Sequence, residues 1–118
     1  MRRVYSDYIR DMLEAAGKAE QFVGAMTLDE FLAGERTNYA VVRALTIIGE
    51  AAKKIPEPLR SRSPEAPSRE VAGMRDKVTH EYFGVDLRRV YETVRRNLPA
   101  LREALDRILA DLVKEEAQ

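Results

Sequence analysis

The sequence predicts an all-α fold, an up-and-down bundle of four or five helices resembling no sheet-containing class. Two observations carry this. Apolar residues recur at three- and four-residue steps through most of the 118-residue chain, and no alternating strand pattern, internal repeat or low-complexity tract interrupts them. A third is that residues suited to capping helices fall where the periodic runs begin or end. The length suits a single domain over residues 1–118, large enough to bury a core without disulfides or a structural metal.

The first helix is expected over about residues 4 to 25, where Tyr5, Ile9, Met12, Ala16, Ala19, Phe22, Val23 and Met26 form one stripe. Thr27 followed by Glu30 is a capping box, so the chain should bend there and begin a new helical turn. A second long helix is expected from about Thr37 to Lys54, with Val41, Leu45, Ile48, Ala52 and Ile55 on one face. Gly49 in its middle costs roughly 1 kcal/mol of helix propensity relative to alanine, which suggests close helix packing.

The stretch IPEPLRSRSPEAPS holds four of the five prolines and is the one linker-like segment, too short to separate domains. Ser68 with Glu70 can start a third helix through Val71, Met74, Val78 and Tyr82, ending where Gly84 offers a left-handed cap. Asp86 can cap the next helix. There Leu87, Val90, Val94, Leu98, Leu101, Leu105, Ile108 and Leu112 make a long seam, interrupted by Pro99. With Asn97 as a possible cap, either two helices or one kinked helix should result.

Composition limits function. Twenty basic residues balance twenty acidic ones, which argues against a general nucleic-acid-coating protein. Yet from Lys53 to Arg96 there are eleven Lys or Arg against seven Asp or Glu, a local surplus that reads either as a solvated face or as an anion-binding one. The absence of cysteine excludes a disulfide framework and thiolate metal sites. Without a signal-like or membrane-length apolar run, the cytoplasm is the expected location.

Within MRDKVTHEYFGVD, residues 74–86, stands the chain's one histidine. On a wheel of about 100° per residue, Met74, Val78 and Tyr82 fall within about 60° of Val71 and form the stripe expected to be buried. Arg75 falls about 40° from Val71. A guanidinium beside an apolar stripe requires an anionic partner or a wet cleft, unless its stem lies on the core and its head reaches water. His80 falls on the opposite side, but Asp76 lies four residues before it and can orient the imidazole and raise its pKa; a plain surface ion pair is the alternative. One straight helix cannot aim Arg75 and His80 at one small substrate. Either the helix end distorts or a second chain contributes, and a two-fold homodimer would supply both a base and an acid from two copies of His80. No HExxH, glycine-rich phosphate loop or helix-turn-helix signal is present, and one histidine cannot anchor a zinc cluster. No cofactor or metal is expected.

Arg75 through Tyr82, continuing as Phe-Gly-Val-Asp86, resembles the R-x4-H-x-Y motif of the HepT-like branch of the HEPN superfamily. Ile48-Gly-Glu-Ala-Ala-Lys53 and the run VYETVRRNLPALREAL, residues 90–105, are similar to that branch as well. The resemblance implies a ribonuclease toxin that cleaves RNA without metal at a homodimer cleft and is paired with a minimal nucleotidyltransferase antitoxin. It implies that Arg75 holds the phosphate, that His80 moves the proton of the attacking 2′-hydroxyl, and that Tyr82 is the tyrosine modified with AMP to silence the toxin. Many HEPN proteins carry asparagine after the arginine; Asp76 stands there instead, able to orient His80 but repelling phosphate. The other reading keeps the fold and the dimer without catalysis, as a binding partner or nucleotide-sensing adaptor of a nucleotidyltransferase.

Overall fold

The computed structural model describes residues 4–56 and 86–117. These form α1 (Tyr5–Val23), α2 (Leu28–Ala33), α3 (Glu35–Lys53), α4 (Leu87–Glu92) and α5 (Leu98–Glu116), with a π turn over Thr93–Asn97 joining α4 to α5. Among the described residues there is no strand, and the fold is the expected all-α helical bundle. The third helix expected from Ser68 to Tyr82, and its cap at Gly84, lie outside the described residues.

At its start α1 is stabilised by Asp7, whose carboxylate accepts from the Val4 N–H at 3.1 Å, placing an acidic group where the helix dipole favours one. It ends at Gly24, whose φ of 51° lets its N–H reach back to the Glu20 carbonyl at 2.9 Å. A side chain at that angle would be strained. Ile9, Met12, Ala16, Ala19 and Val23 are buried as expected, but Tyr5 and Phe22 are 45% and 41% exposed. Phe22 is rotated about 100° from Val23 and so off the stripe, while Tyr5 is the first residue of the helix.

The capping box forms as read. The Glu30 N–H donates to Thr27 Oγ1 at 3.2 Å, and the Thr27 N–H donates to Glu30 Oε1 at 3.0 Å. Those Thr27 bonds, the backbone one foremost, hold the Glu30 carboxyl below its ordinary pKa. The short α2 exists to deliver Phe31, which is fully buried. Helix α3 then begins at Glu35, two residues before the expected Thr37. Gly34 makes the early start possible: it closes α2 through a 3.1 Å bond to the Phe31 carbonyl and accepts the Asn38 N–H of α3 at 2.9 Å. A Cβ on Gly34 would lie 3.2 Å from the Glu30 carbonyl oxygen. Gly49 is buried within α3.

Joined through the short α2, α1 and α3 pack against each other. Two contacts set α5 antiparallel to α1. Arg102 Nη1 lies 3.2 Å from both carboxylate oxygens of Glu20, and at the other end the buried Ser6 hydroxyl donates to Glu116 Oε2 at 2.7 Å. The seam from Val90 to Leu112 is buried throughout, with Leu87 half-buried.

Pro99 does not split that seam into two capped helices. A proline lacks the N–H that would bond to the carbonyl four residues back, and its ring crowds that carbonyl. The backbone relieves this with the π turn just before it, where the Leu98 N–H bonds to the Thr93 carbonyl. Asn97 keeps right-handed helical angles and its side chain makes no cap hydrogen bond, so the expectation of an Asn97 cap is corrected: the widened turn supplies the continuity a cap would have interrupted.

Candidate functional site

Arg75, Asp76, His80 and Tyr82, the residues expected to carry the chemistry, lie outside the described residues. What the structure describes is the last residue of their motif, Asp86, and the helix it begins.

Asp86 is exposed and its Oδ1 accepts from the N–H groups of Arg88 and Arg89 at 3.1 and 3.3 Å. The expected cap is therefore formed, and the chain leaves the motif directly into α4 at a defined point. Val90 and Val94 bury one side of α4 and the π turn. The other side carries Arg88, Arg89, Arg95 and Arg96, all exposed, with Glu92 the one acidic side chain among them. On α4, at about 100° per residue, Arg88, Arg89 and Glu92 fall within about 100° of one another, and Arg95 and Arg96 follow on the π turn. The described ion pairs include Arg10 with Asp7, Lys18 with Glu14 and Arg102 with Glu20, but none joins Glu92 to Arg88 or Arg96.

A clamp fixes this segment to the rest of the bundle. The Tyr91 hydroxyl donates to the Met26 carbonyl at 2.7 Å, and Arg95 Nη2 donates to the same oxygen at 2.9 Å. Arg95 Nε also lies 3.3 Å from the Tyr91 hydroxyl, and its guanidinium carbon sits 5.3 Å from the centre of the Tyr91 ring. On the tyrosine's inner side the Phe31 ring is tilted against it, centroids 5.6 Å apart. The 24–27 turn and the buried end of α2 thus hold the first residues after the motif.

Sequence reasoning missed this clamp. The four-residue spacing of Tyr91 and Arg95 was a readable signal for their mutual contact, but a backbone carbonyl sixty-five positions from Tyr91 leaves no mark in the sequence. Chemically, the described part of the region can bind anions through guanidinium groups. Proton transfer by an imidazole must come from His80, the chain's one histidine. No helix among the described residues is long and apolar enough to cross a membrane.

Known proteins are similar to this sequence over most of its length. A protein from Thermococcus cleftensis named "Probable ribonuclease HepT" is 43% identical over 108 residues, covering 92% of this chain and 98% of its own. A Methanocaldococcus jannaschii protein with the provisional name RNase MJ1216 is 40% identical over 111 residues, 94% of this chain and 92% of its own. A longer protein of the same organism, named as a gamma-glutamylcyclotransferase and, provisionally, RNase MJ0434, is 34% identical over 116 residues, 98% of this chain but 52% of its own. No solved structure matches the chain. The family described as "Ribonuclease HepT-like" matches residues 12–108, a span that includes α3, the whole Arg75–Asp86 motif and the α4 clamp. The chain belongs to the ribonuclease HepT-like family.

Proposed function

We propose that this protein is an endoribonuclease, the toxin of a type II toxin–antitoxin pair, formed by one domain over residues 1–118 and acting in the cytoplasm. The observation that carries the reading is the family match over residues 12–108, inside which every residue of the R-x4-H-x-Y motif is present. Relatives at 43% and 40% identity bear ribonuclease names.

In the proposed reaction Arg75 holds the scissile phosphate and stabilises the charge that develops on its oxygens. His80 takes the proton of the 2′-hydroxyl, whose oxygen attacks the adjacent phosphorus. The bond from phosphorus to the 5′-oxygen breaks, and that oxygen leaves with a proton from a second acid. With one histidine per chain, the acid is the His80 of a second copy, which makes the active form a homodimer with a shared cleft. Asp76, four residues before His80, holds the imidazole's orientation. Control falls to Tyr82: the phenol oxygen attacks the α-phosphorus of ATP on a partner nucleotidyltransferase, pyrophosphate leaves, and the AMP group added beside Arg75 on the helix wheel blocks the anion site.

The test is cleavage of RNA by purified, unmodified protein in excess EDTA. Products ending in 2′,3′-cyclic phosphate are expected, because the attacking oxygen belongs to the substrate. Activity that disappears on chelation and returns with magnesium would replace this scheme with a metal-assisted one.

A further inference from the structure

We propose that the exposed arginines of α4 and the π turn, Arg88, Arg89, Arg95 and Arg96, form a ridge that binds the phosphate backbone of single-stranded RNA flanking the cleaved bond. The proposal deepens the ribonuclease reading and rests on it.

Three features of the segment support it. Four arginines and one glutamate occupy residues 88–96, and all five are exposed. None of the described ion pairs joins Glu92 to its neighbours four residues away, so the positive charge is not neutralised within the segment. All four cations are arginine, whose planar fork of donors matches a phosphate in a way the lysine ammonium does not; in Arg95 the Nε–Nη2 edge is engaged by Tyr91 and Met26, which leaves Nη1.

The ridge is also held in place. Asp86 fixes its first turn, and Arg95 is fastened to the Met26 carbonyl and laid over the Tyr91 ring. Ordering a long side chain before binding lowers the entropy lost when the ligand arrives. The π turn runs directly into α5, so Arg95 and Arg96 sit on continuous helical backbone. By sequence, the ridge begins two residues after the end of the catalytic motif.

The chemistry favours RNA over a protein partner. Protein interfaces centre on buried apolar and aromatic side chains, whereas nucleic-acid interfaces are more polar and strongly positive. The exposed large apolar residues of the described structure are Val4, Tyr5, Phe22, Tyr39 and Val113; none belongs to α4 or the π turn. A backbone-reading surface of this kind binds with little preference for base identity.

The experiment uses the full chain carrying His80→Ala, so that RNA is bound and not cut. Affinity for a single-stranded RNA dodecamer is measured across a salt series, with and without the changes Arg88→Gln, Arg89→Gln and Arg96→Gln, which leave the Arg95 clamp intact. Three lost phosphate contacts should make the slope of log affinity against log salt shallower by about 2, at about 0.7 per contact on single strands. The corresponding Arg→Lys triple variant should keep most of the slope, which a purely structural role would not predict. In the chain with its native His80, the Gln changes should lower kcat/KM far more for the dodecamer than for a dinucleotide, which is too short to lie along the ridge. If the triple variant is too unstable, each single change should lower the slope by about 0.7. Unchanged affinity and slope overturn the proposal. So does a triple variant that binds RNA normally but no longer binds the nucleotidyltransferase, which would assign the ridge to a protein partner. If the slope falls as expected while the native chain cleaves neither substrate, the ridge stands and the ribonuclease reading fails.

Discussion

Tyr91→Phe isolates the clamp that fastens α4 to the bundle. The substitution keeps the ring, and with it the contact to Phe31 and the seat under the Arg95 guanidinium. It removes one short hydrogen bond, 2.7 Å to the Met26 carbonyl, and one longer one, 3.3 Å from Arg95 Nε. The Met26 oxygen keeps its 2.9 Å bond from Arg95 Nη2, so no acceptor is stranded. The loss should therefore be the net worth of one good hydrogen bond and one weak one, about 1–2 kcal/mol, without the larger penalty of an unsatisfied buried group. For a domain of this size that lowers Tm by about 4–8 °C. Urea titration followed by circular dichroism measures it, read as a shift in midpoint at constant slope. Tyr91→Ala, which also removes the ring from Phe31, should cost more. If Tyr91→Phe lies within about 0.3 kcal/mol of the native protein while Tyr91→Ala is strongly destabilising, the hydroxyl bond contributes nothing beyond what water supplies and the segment is held by ring packing alone.

The capping box predicts a pH-dependent difference: Glu30→Gln should be less stable than the native chain above the ordinary glutamate pKa and equal to it once pH has fallen through the lowered pKa of Glu30, because a carboxyl whose folded pKa is depressed contributes only while ionised. A difference that persists unchanged into acid would assign the effect to geometry and not to charge. Thr27→Ala should cost about 1 kcal/mol at neutral pH by removing the cap oxygen. Incubation with the partner nucleotidyltransferase and ATP should raise the intact mass by AMP units in the native chain and not in Tyr82→Phe; equal gains would place the modification elsewhere. A heterodimer of the native chain with His80→Ala, isolated through two affinity tags, should fall to a few per cent of native activity or less, consistent with a proton-transfer role worth roughly 10²- to 10⁴-fold, whereas retention of about half would mean independent sites.

What could be read in advance was whatever is local. The α1 stripe, the Thr27–Glu30 box, the Asp86 cap and the long seam ending at Leu112 each depend on residues within one or two helical turns, and periodicity reports such neighbourhoods directly. Ser6 with Glu116, Glu20 with Arg102 and Tyr91 with the Met26 carbonyl join positions far apart in the chain, and one sequence encodes no such pairing. Pro99 shows an intermediate case. Its position announced a break in the helix ladder, but whether the chain would stop, kink or widen depended on the Leu98 N–H finding the Thr93 carbonyl. The candidate chemistry was legible as residue types in a motif, Arg75, Asp76, His80 and Tyr82, because catalysis demands particular functional groups; their placement is not among the described residues.

A net charge of zero is compatible with binding a polyanion when the charges are segregated. Residues 1–52 carry six basic and eight acidic side chains, residues 97–118 three and five, and residues 53–96 eleven and seven. At physiological salt the screening length is about 8 Å, so an RNA strand on α4 would respond mainly to the charges within about that distance of it. The acidic surplus then has a separate effect: it keeps the whole-chain charge from making every surface attractive to RNA, and leaves the arginine face as the preferred place of contact. Adding charge at a distance should accordingly do little. Exposed residues such as Glu14 on α1 and Asp111 on α5, changed to their amides, would raise the net charge by two, yet on this reasoning the dodecamer affinity at physiological salt changes far less than on removing Arg88 and Arg89. Equal and opposite effects of the two pairs would mean that the overall charge governs binding and that the ridge has no special part in it.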